Sequence, residues 1–290
     1  MAEEKFDLAA MKKIGMIQQK QKEYFALRLH VVGGDLTSAQ FRKVAEVAEI
    51  YGKKKIHLTT RQGIEIHNVH HTKLEKAREE LAKAGIRMGA CGPRVRVVVA
   101  CPGSASCRWG IIETKDLSKY LDKTYFGVET PHKFKIGVTG CPNNCAKASE
   151  NDIGIMGAIL PKWLSDECSD CDLCINVCPT KAIYKENDEY RLDEEKCIHC
   201  PICTSSCPVD AWIPEITGFS LLIGGTMGKI PRLATKVGGI IQDQDILKKA
   251  VAVSIEYYQE HGRKKERFGH SIDRIGVDKV VKDILNGINN

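Results

Sequence analysis

The chain has 290 residues, 43% of them hydrophobic, with 43 Lys and Arg against 37 Asp and Glu for a formal net charge of +6; that is enough to bury a substantial core in one or two domains. Thirteen cysteines, and an opening MAEEKFDLAAMKK that starts acidic and lacks the basic and then apolar order of a signal peptide, lead us to expect a cytoplasmic protein with metal or redox centres rather than a disulfide scaffold. No segment approaches the roughly 18 apolar residues of a membrane span, and basic residues interleaved with acids, as in AREELAK and KKERFGHSIDR, argue against a nucleic-acid surface.

Residues 24–31, YFALRLHV, alternate as a strand does and run into Gly33 and Gly34. A helix fits Leu36 to Tyr51, entered by TSAQ in capping-box form through Thr37 and Gln40, striped by Phe41, Val44, Ala45 and Ala48, and stopped by Gly52. KIHLTT and IEIHNV read as two strands separated by Arg61, Gln62 and Gly63. TKLE, Thr72 to Glu75, signals a second capping box before a helix carrying Leu74, Ala77 and Leu81 and ending at Gly85. VRVVVA, 95–100, is a β-branched run expected to be a buried strand. Strand, helix, strand, strand, helix, strand is the ferredoxin-like order.

From about residue 101 the chain turns to cysteine- and glycine-rich loops between short apolar runs. Residues 162–214 hold eight cysteines and look like an inserted module, after which GFSLLIGGTMG resumes a globular pattern. Closing helices fit 243–260 and 272–286, with Ile246, Ala250, Val253 and Tyr257 as the expected buried face of the first. The expected division of this α+β chain is 1–90, 91–161, 162–214 and 215–290.

CSDCDLCINVCP and CIHCPICTSSCP are each a Cys-x2-Cys-x2-Cys-x3-Cys-Pro run, the pattern of bacterial two-cluster ferredoxins in which the fourth cysteine ligates the other cluster. One [4Fe–4S] cluster then falls to Cys168, Cys171, Cys174 and Cys207, and another to Cys178, Cys197, Cys200 and Cys203. Zinc also uses Cys-x2-Cys, but the third cysteine and the proline after the fourth, repeated twice, suit cubane clusters better. Of the five remaining cysteines, Cys101 and Cys107 form one pair in CPGSASC, and Cys141 and Cys145 form another in GVTGCPNNCAK. Each pair follows a β-like run, so four thiolates on two turns can enclose a third cluster; structural pairs or a zinc knuckle are the alternative.

Cys-x5-Cys followed some thirty residues later by Cys-x3-Cys resembles the signature of the sulfite and nitrite reductases. TTRQGIEIH, PHKFK and GFSLLIGGTMG resemble that family's other segments, and the ferredoxin insertion after the second pair is similar to the dissimilatory and anaerobic sulfite reductase subunits. The resemblance implies a ferredoxin-like half-domain followed by a siroheme and [4Fe–4S] reductase domain with a two-cluster ferredoxin module inserted. It implies siroheme, three [4Fe–4S] clusters, and Cys145 as the thiolate bridging the third cluster to the siroheme iron. It implies six-electron reduction of sulfite to sulfide, with nitrite to ammonia, or a non-catalytic electron-transfer role, as alternatives.

An oxyanion needs cations aimed at its oxygens. Arg61 follows a strand, Lys133 and Lys135 alternate on the strand feeding the Cys141 turn, and Arg94 and Arg96 share a face before Cys101, either of them being a candidate for the anion. His57, His67, His70 and His71 read as ordinary strand and turn residues, and Cys91 as a structural thiol. No glycine motif for a dinucleotide opens a strand-to-helix unit, so a ferredoxin or a reductase subunit is the expected electron donor. The larger relatives carry two copies of the half-unit, so a second copy or another subunit is expected to complete a homo- or hetero-oligomer.

Overall fold

The computed structural model describes residues 6–289; the acidic opening MAEEK lies outside them. The first layer comprises α1 (Leu8–Lys13), β1 (Met16–Gln18), β2 (Tyr24–Arg28), α2 (Ser38–Tyr51), β3 (Ile56–Leu58), β4 (Ile64–His70) and α3 (Leu74–Lys83). Its sheet runs β1-β2-β4-β3, antiparallel throughout. Val44, Val47 and Ala48 of α2 join Leu74, Ala77 and Leu81 of α3 in one core with Phe25, Leu27, Ile66 and Val69. The Thr37 and Gln40 capping box is present as expected, but Phe41 is 48% exposed and Val47 takes its place in the stripe.

Two expectations fail here. Thr72 does not cap α3: the backbone N–H of His71 is tied to the Glu23 carbonyl, a short 3-10 turn over His71–Lys73 follows, and Thr72 donates its own N–H to His70 Nδ1. Residues 95–100 do not form a continuous strand, nor do they close this sheet. The place beside β2 belongs to β1 and to a bridge between Leu29 and Met88. The β-branched run finds its burial in the second core, where Val95 bonds the Val128 carbonyl, Val98 bonds the Asp122 side chain, and only β5 (Val99–Ala100) pairs as a strand.

The second layer adds α4 (Lys115–Tyr125), β6 (Ile136–Thr139) and β7 (Ile153–Trp163). A small subdomain follows, with α5 (Leu173–Val177), a hairpin of β8 (Ile183–Glu186) and β9 (Glu189–Leu192), and α6 (Ile202–Ser206), before β10 (Trp212–Ile223) returns alongside β7. β11 (Thr235–Ile241) completes a sheet of order β11-β10-β7-β6-β5, parallel from β5 to β7 and antiparallel beyond. The chain closes with α7 (Gln244–His261), α8 (Phe268–Ile275) and α9 (Val277–Asn289).

The buried face of α7 is Leu247, Ala250, Val251, Ser254, Ile255 and Tyr258. It is turned about one position from the expected one, leaving Ile246 48% exposed. The expected final helix is two, divided at Gly276, whose φ of 108° breaks helical geometry. No helix among the described residues is long and apolar enough to cross a membrane.

Candidate functional site

The turn between β3 and β4 sets Arg61 in the seam between the two layers. Thr59 Oγ1 accepts the backbone N–H groups of Arg61 and Gly63, at 3.3 and 3.0 Å, and shapes the turn. The Gln62 side chain then clamps Ala100 of β5 in both directions, Nε2 to its carbonyl at 2.7 Å and Oε1 from its N–H at 2.9 Å. Held in this way, the Arg61 guanidinium donates to Asn151 Oδ1 at 2.5 Å and to the Val97 carbonyl at 3.1 Å. Burial lowers its pKa to about 10, with Asp152 opposing that shift and Arg96 adding to it.

Arg28, Arg61, Arg96, Lys133 and Lys135 line one cleft of about 300 Å³. Arg61 and Lys135 also line an adjoining cleft of about 320 Å³, where Cys145, Lys147 and Asn151 face them. Burial, and after it the charges of Arg61 and Arg267, bring the Lys135 pKa down to about 8. Lys133 is lowered too, by burial and then by Arg267 and Arg96. Arg96 donates to the Ala90 and Gly92 carbonyls at 2.7 and 3.0 Å, and its buried Nε has no partner among the described residues.

Arg94 differs. Its Nη2 lies 3.6 Å from Glu129 and it lines a separate cleft beside Phe126, so of the two candidate arginines only Arg96 opens on the cationic cleft.

Sequence reasoning did not identify Arg28, Asp152 or Arg267. Arg28 donates from Nη1 to Cys91 Sγ at 2.7 Å and from Nε to Glu65 at 2.7 Å. Cys91, expected as a structural thiol, is thus 8% exposed beside a guanidinium. Asp152 is fully buried; it accepts from Arg267 Nη2 at 2.6 Å and from the backbone N–H of Lys135 at 2.9 Å. Full burial pushes its carboxyl up while Arg267 and the Lys135 N–H pull it back. The one sequence signal was an acid set directly before an apolar strand, in NDIGIM. His57, His67, His70 and His71 stand outside both clefts, His67 bonded to Glu65 at 2.9 Å and His70 to the Thr72 hydroxyl at 2.9 Å.

Cys101, Cys107, Cys141 and Cys145 come together where β5 and β6 end. The Cys141 thiol is pushed up by burial first and then by the neighbouring sulfurs of Cys101, Cys107 and Cys145. Gly140 donates its N–H to Cys101 Sγ at 3.0 Å, and Cys145 is the exposed member, opening on the second cleft. Gly157 of β7 packs on this turn so closely that a Cβ there would stand 2.2 Å from the Gly140 carbonyl oxygen.

In the small subdomain, Cys168, Cys171, Cys174 and Cys207 line one cavity, and Cys178, Cys197, Cys200 and Cys203 line another. Backbone N–H groups of Ala211, Ala182 and His199 point at the sulfurs of Cys207, Cys178 and Cys197, at 3.2, 3.2 and 3.4 Å. Free thiols gathered in fours, with amide donors to offset thiolate charge, suit iron–sulfur clusters.

Two family models match: residues 17–84 the "Nitrite/Sulfite reductase ferredoxin-like half domain" and residues 91–288 the "Nitrite and sulphite reductase 4Fe-4S domain". The chain is 31% identical over 254 residues to the coenzyme F420-dependent sulfite reductase of Methanocaldococcus jannaschii, an alignment covering 87% of this chain but 40% of that protein. It is 29% identical to one subunit of the anaerobic sulfite reductase of Salmonella typhimurium, over 90% of this chain and 83% of that one. Among solved structures, dissimilatory sulfite reductase I superposes with a TM-score of 0.74 at 19% identity, over 90% of this chain and 69% of that chain.

Proposed function

The chain belongs to the nitrite and sulphite reductase family, and from that premise we propose that it is a siroheme-dependent reductase converting sulfite to sulfide with six electrons delivered through three [4Fe–4S] clusters. In this reading residues 1–90 are the ferredoxin-like half-domain, 162–214 a two-cluster ferredoxin module, and 91–161 with 215–290 the reductase domain between which that module is inserted. A cytoplasmic location accords with thirteen free thiols.

The observation that carries the reading is the convergence of Arg61, Lys133 and Lys135 with Cys145 on adjoining clefts. Five cationic side chains on one cleft, with an unpartnered Arg96 Nε among them, fit a polycarboxylate macrocycle and a small oxyanion. Siroheme, when bound, would supply the redox-active iron, and Cys145, the exposed thiol opening on the second cleft, would be the ligand shared with the cluster of Cys101, Cys107 and Cys141. Arg61 and Arg96 offer planar forks to oxygen. Lys133 and Lys135 pair with the anion, and a lysine with a pKa of about 8 holds a transferable proton near neutrality.

The chain spans 40% of the length of the Methanocaldococcus jannaschii reductase. In this reading a second copy or another subunit completes the pocket, and a ferredoxin or a reductase subunit supplies the electrons. Turnover with each anion under one reductant tests the substrate: nitrite greatly preferred would assign nitrite reduction to ammonia instead. Siroheme bands missing from the visible spectrum of reconstituted protein would make the chain an electron carrier.

A further inference from the structure

The order of the cysteine sets along β7 says where electrons enter, provided those sets hold clusters as proposed above. Gly157 packs on the Cys141 turn. Two residues on, Ile159 donates to the His199 carbonyl at 3.0 Å and accepts from His199 Nδ1 at 3.2 Å, which fixes the Cys197 to Cys200 loop beside it. At the strand's end, Trp163 stands edge-on to Tyr190, with ring centroids 5.4 Å apart, and opposite Trp212, and both of these line the cavity of Cys168, Cys171, Cys174 and Cys207. At about 3.3 Å per residue these levels lie roughly 7 and 13 Å apart. The set of Cys178, Cys197, Cys200 and Cys203 is therefore intermediate, and that of Cys168, Cys171, Cys174 and Cys207 outermost.

The outermost set is also the accessible one. Cys171 is exposed, whereas no cysteine of the intermediate set is. Leu173 and Val209 line its cavity and are 37% and 40% exposed, two exposed apolar side chains where the intermediate cavity has one, Ile198 at 44%. Residues 162–214 carry eleven Asp and Glu against five Lys and Arg, so the rest of the chain has 26 of the 37 acids and 38 of the 43 bases. Asp166, Glu167 and Asp210, in the segments flanking Cys168 and Val209, are exposed and make no salt bridge among the described residues.

We propose that the cavity of Cys168, Cys171, Cys174 and Cys207 is the electron entry port, and that its donor is a redox protein with a basic face that seats its centre over Leu173 and Val209. One electron leaves the donor's centre and one arrives at the cluster held there, with no bond made or broken. Opposite charge speeds and orients such an encounter, while an acidic carrier meets repulsion at Asp166, Glu167 and Asp210.

The test uses anaerobic, iron-replete protein with two probes, a basic c-type cytochrome and an acidic plant-type ferredoxin. Surface plasmon resonance is expected to show the cytochrome binding at low salt and weakening about tenfold or more at physiological ionic strength. The triple variant Asp166→Lys, Glu167→Lys, Asp210→Lys should lose it, and Glu49→Lys on α2 should not. Carbodiimide cross-links to the cytochrome should fall on Asp166, Glu167 or Asp210. Preference for the ferredoxin, indifference of the triple variant, or cross-links on Glu194 and Glu195 beside the intermediate set would overturn the port. Iron analysis of the same sample separates the two failures: an iron-free subdomain overturns the cluster assignment and the port together, whereas full iron with ferredoxin preferred overturns the port alone.

Discussion

Arg267 Nη2 lies 2.6 Å from Asp152 Oδ2, and neither side chain is more than 8% exposed. The pair joins the start of α8 to the start of β7, and Asp152 also fixes the backbone of Lys135. Asp152→Asn leaves a guanidinium buried without its counter-charge, a loss of about 3–5 kcal/mol. The urea midpoint should fall accordingly, and the Asp152→Asn, Arg267→Met double variant should recover part of it. An unchanged midpoint in the single variant would contradict the role given to this pair.

Lys133→Met and Lys135→Met remove no thiol and leave Arg28, Arg61 and Arg96 on the cleft, so both variants should keep siroheme and iron. Turnover of sulfite should drop about 10²-fold or more, the scale of losing one preorganised donor. Cys145→Ser should alter the visible spectrum along with the rate. Normal sulfite turnover in both lysine variants would move the anion site elsewhere.

The Lys135 pKa of about 8 gives a signed pH effect. The ammonium is charged below that value and is lost as pH rises through it, so affinity for a bound oxyanion should weaken on the alkaline side. Isothermal titration with sulfite from pH 7 to 9 should show this slope in the unmodified protein and a flatter one in Lys135→Met. Equal slopes would exclude Lys135 as the titrating group.

Iron removal should loosen the subdomain selectively. Its protein core is small, Ile183, Tyr190, Cys203 and Trp212 with a few partly buried neighbours, too little to hold the fold without the clusters proposed for it. After chelation, trypsin should cut first at Lys181, Lys185, Arg191 or Lys196, while the loaded protein resists there. First cuts in the body of the chain would contradict this.

The cysteine runs were legible because their spacing is local, four cysteines within eleven residues, and the fold gathers the two runs around two cavities. Arg61 was legible from its place after a strand. Arg28 and Arg267 were not, since each earns its place through a partner far along the chain, Arg267 reaching Asp152 across 115 positions. Residues 95–100 misled because β-branched character signals burial more firmly than pairing, and here Asp122 and the Val128 carbonyl supply bonds that a strand neighbour would have made. Thr72 misled because a capping box is a local pattern, and the His71 to Glu23 bond overrode it.

Trp163 and Trp212 face each other across the β7 and β10 ladder, so the chain leaves for the small subdomain and returns from it at a single rung. Entry and exit that close make the subdomain a cassette: it can be cut out and replaced by a short turn without changing the register of any strand below it. The same hairpin tip would accept a different inserted unit, or none, while the cationic clefts at the far end of the sheet kept their shape. Under the proposed function, changes of redox supply and changes of substrate chemistry are therefore separable in this architecture, each free to vary while the other is held.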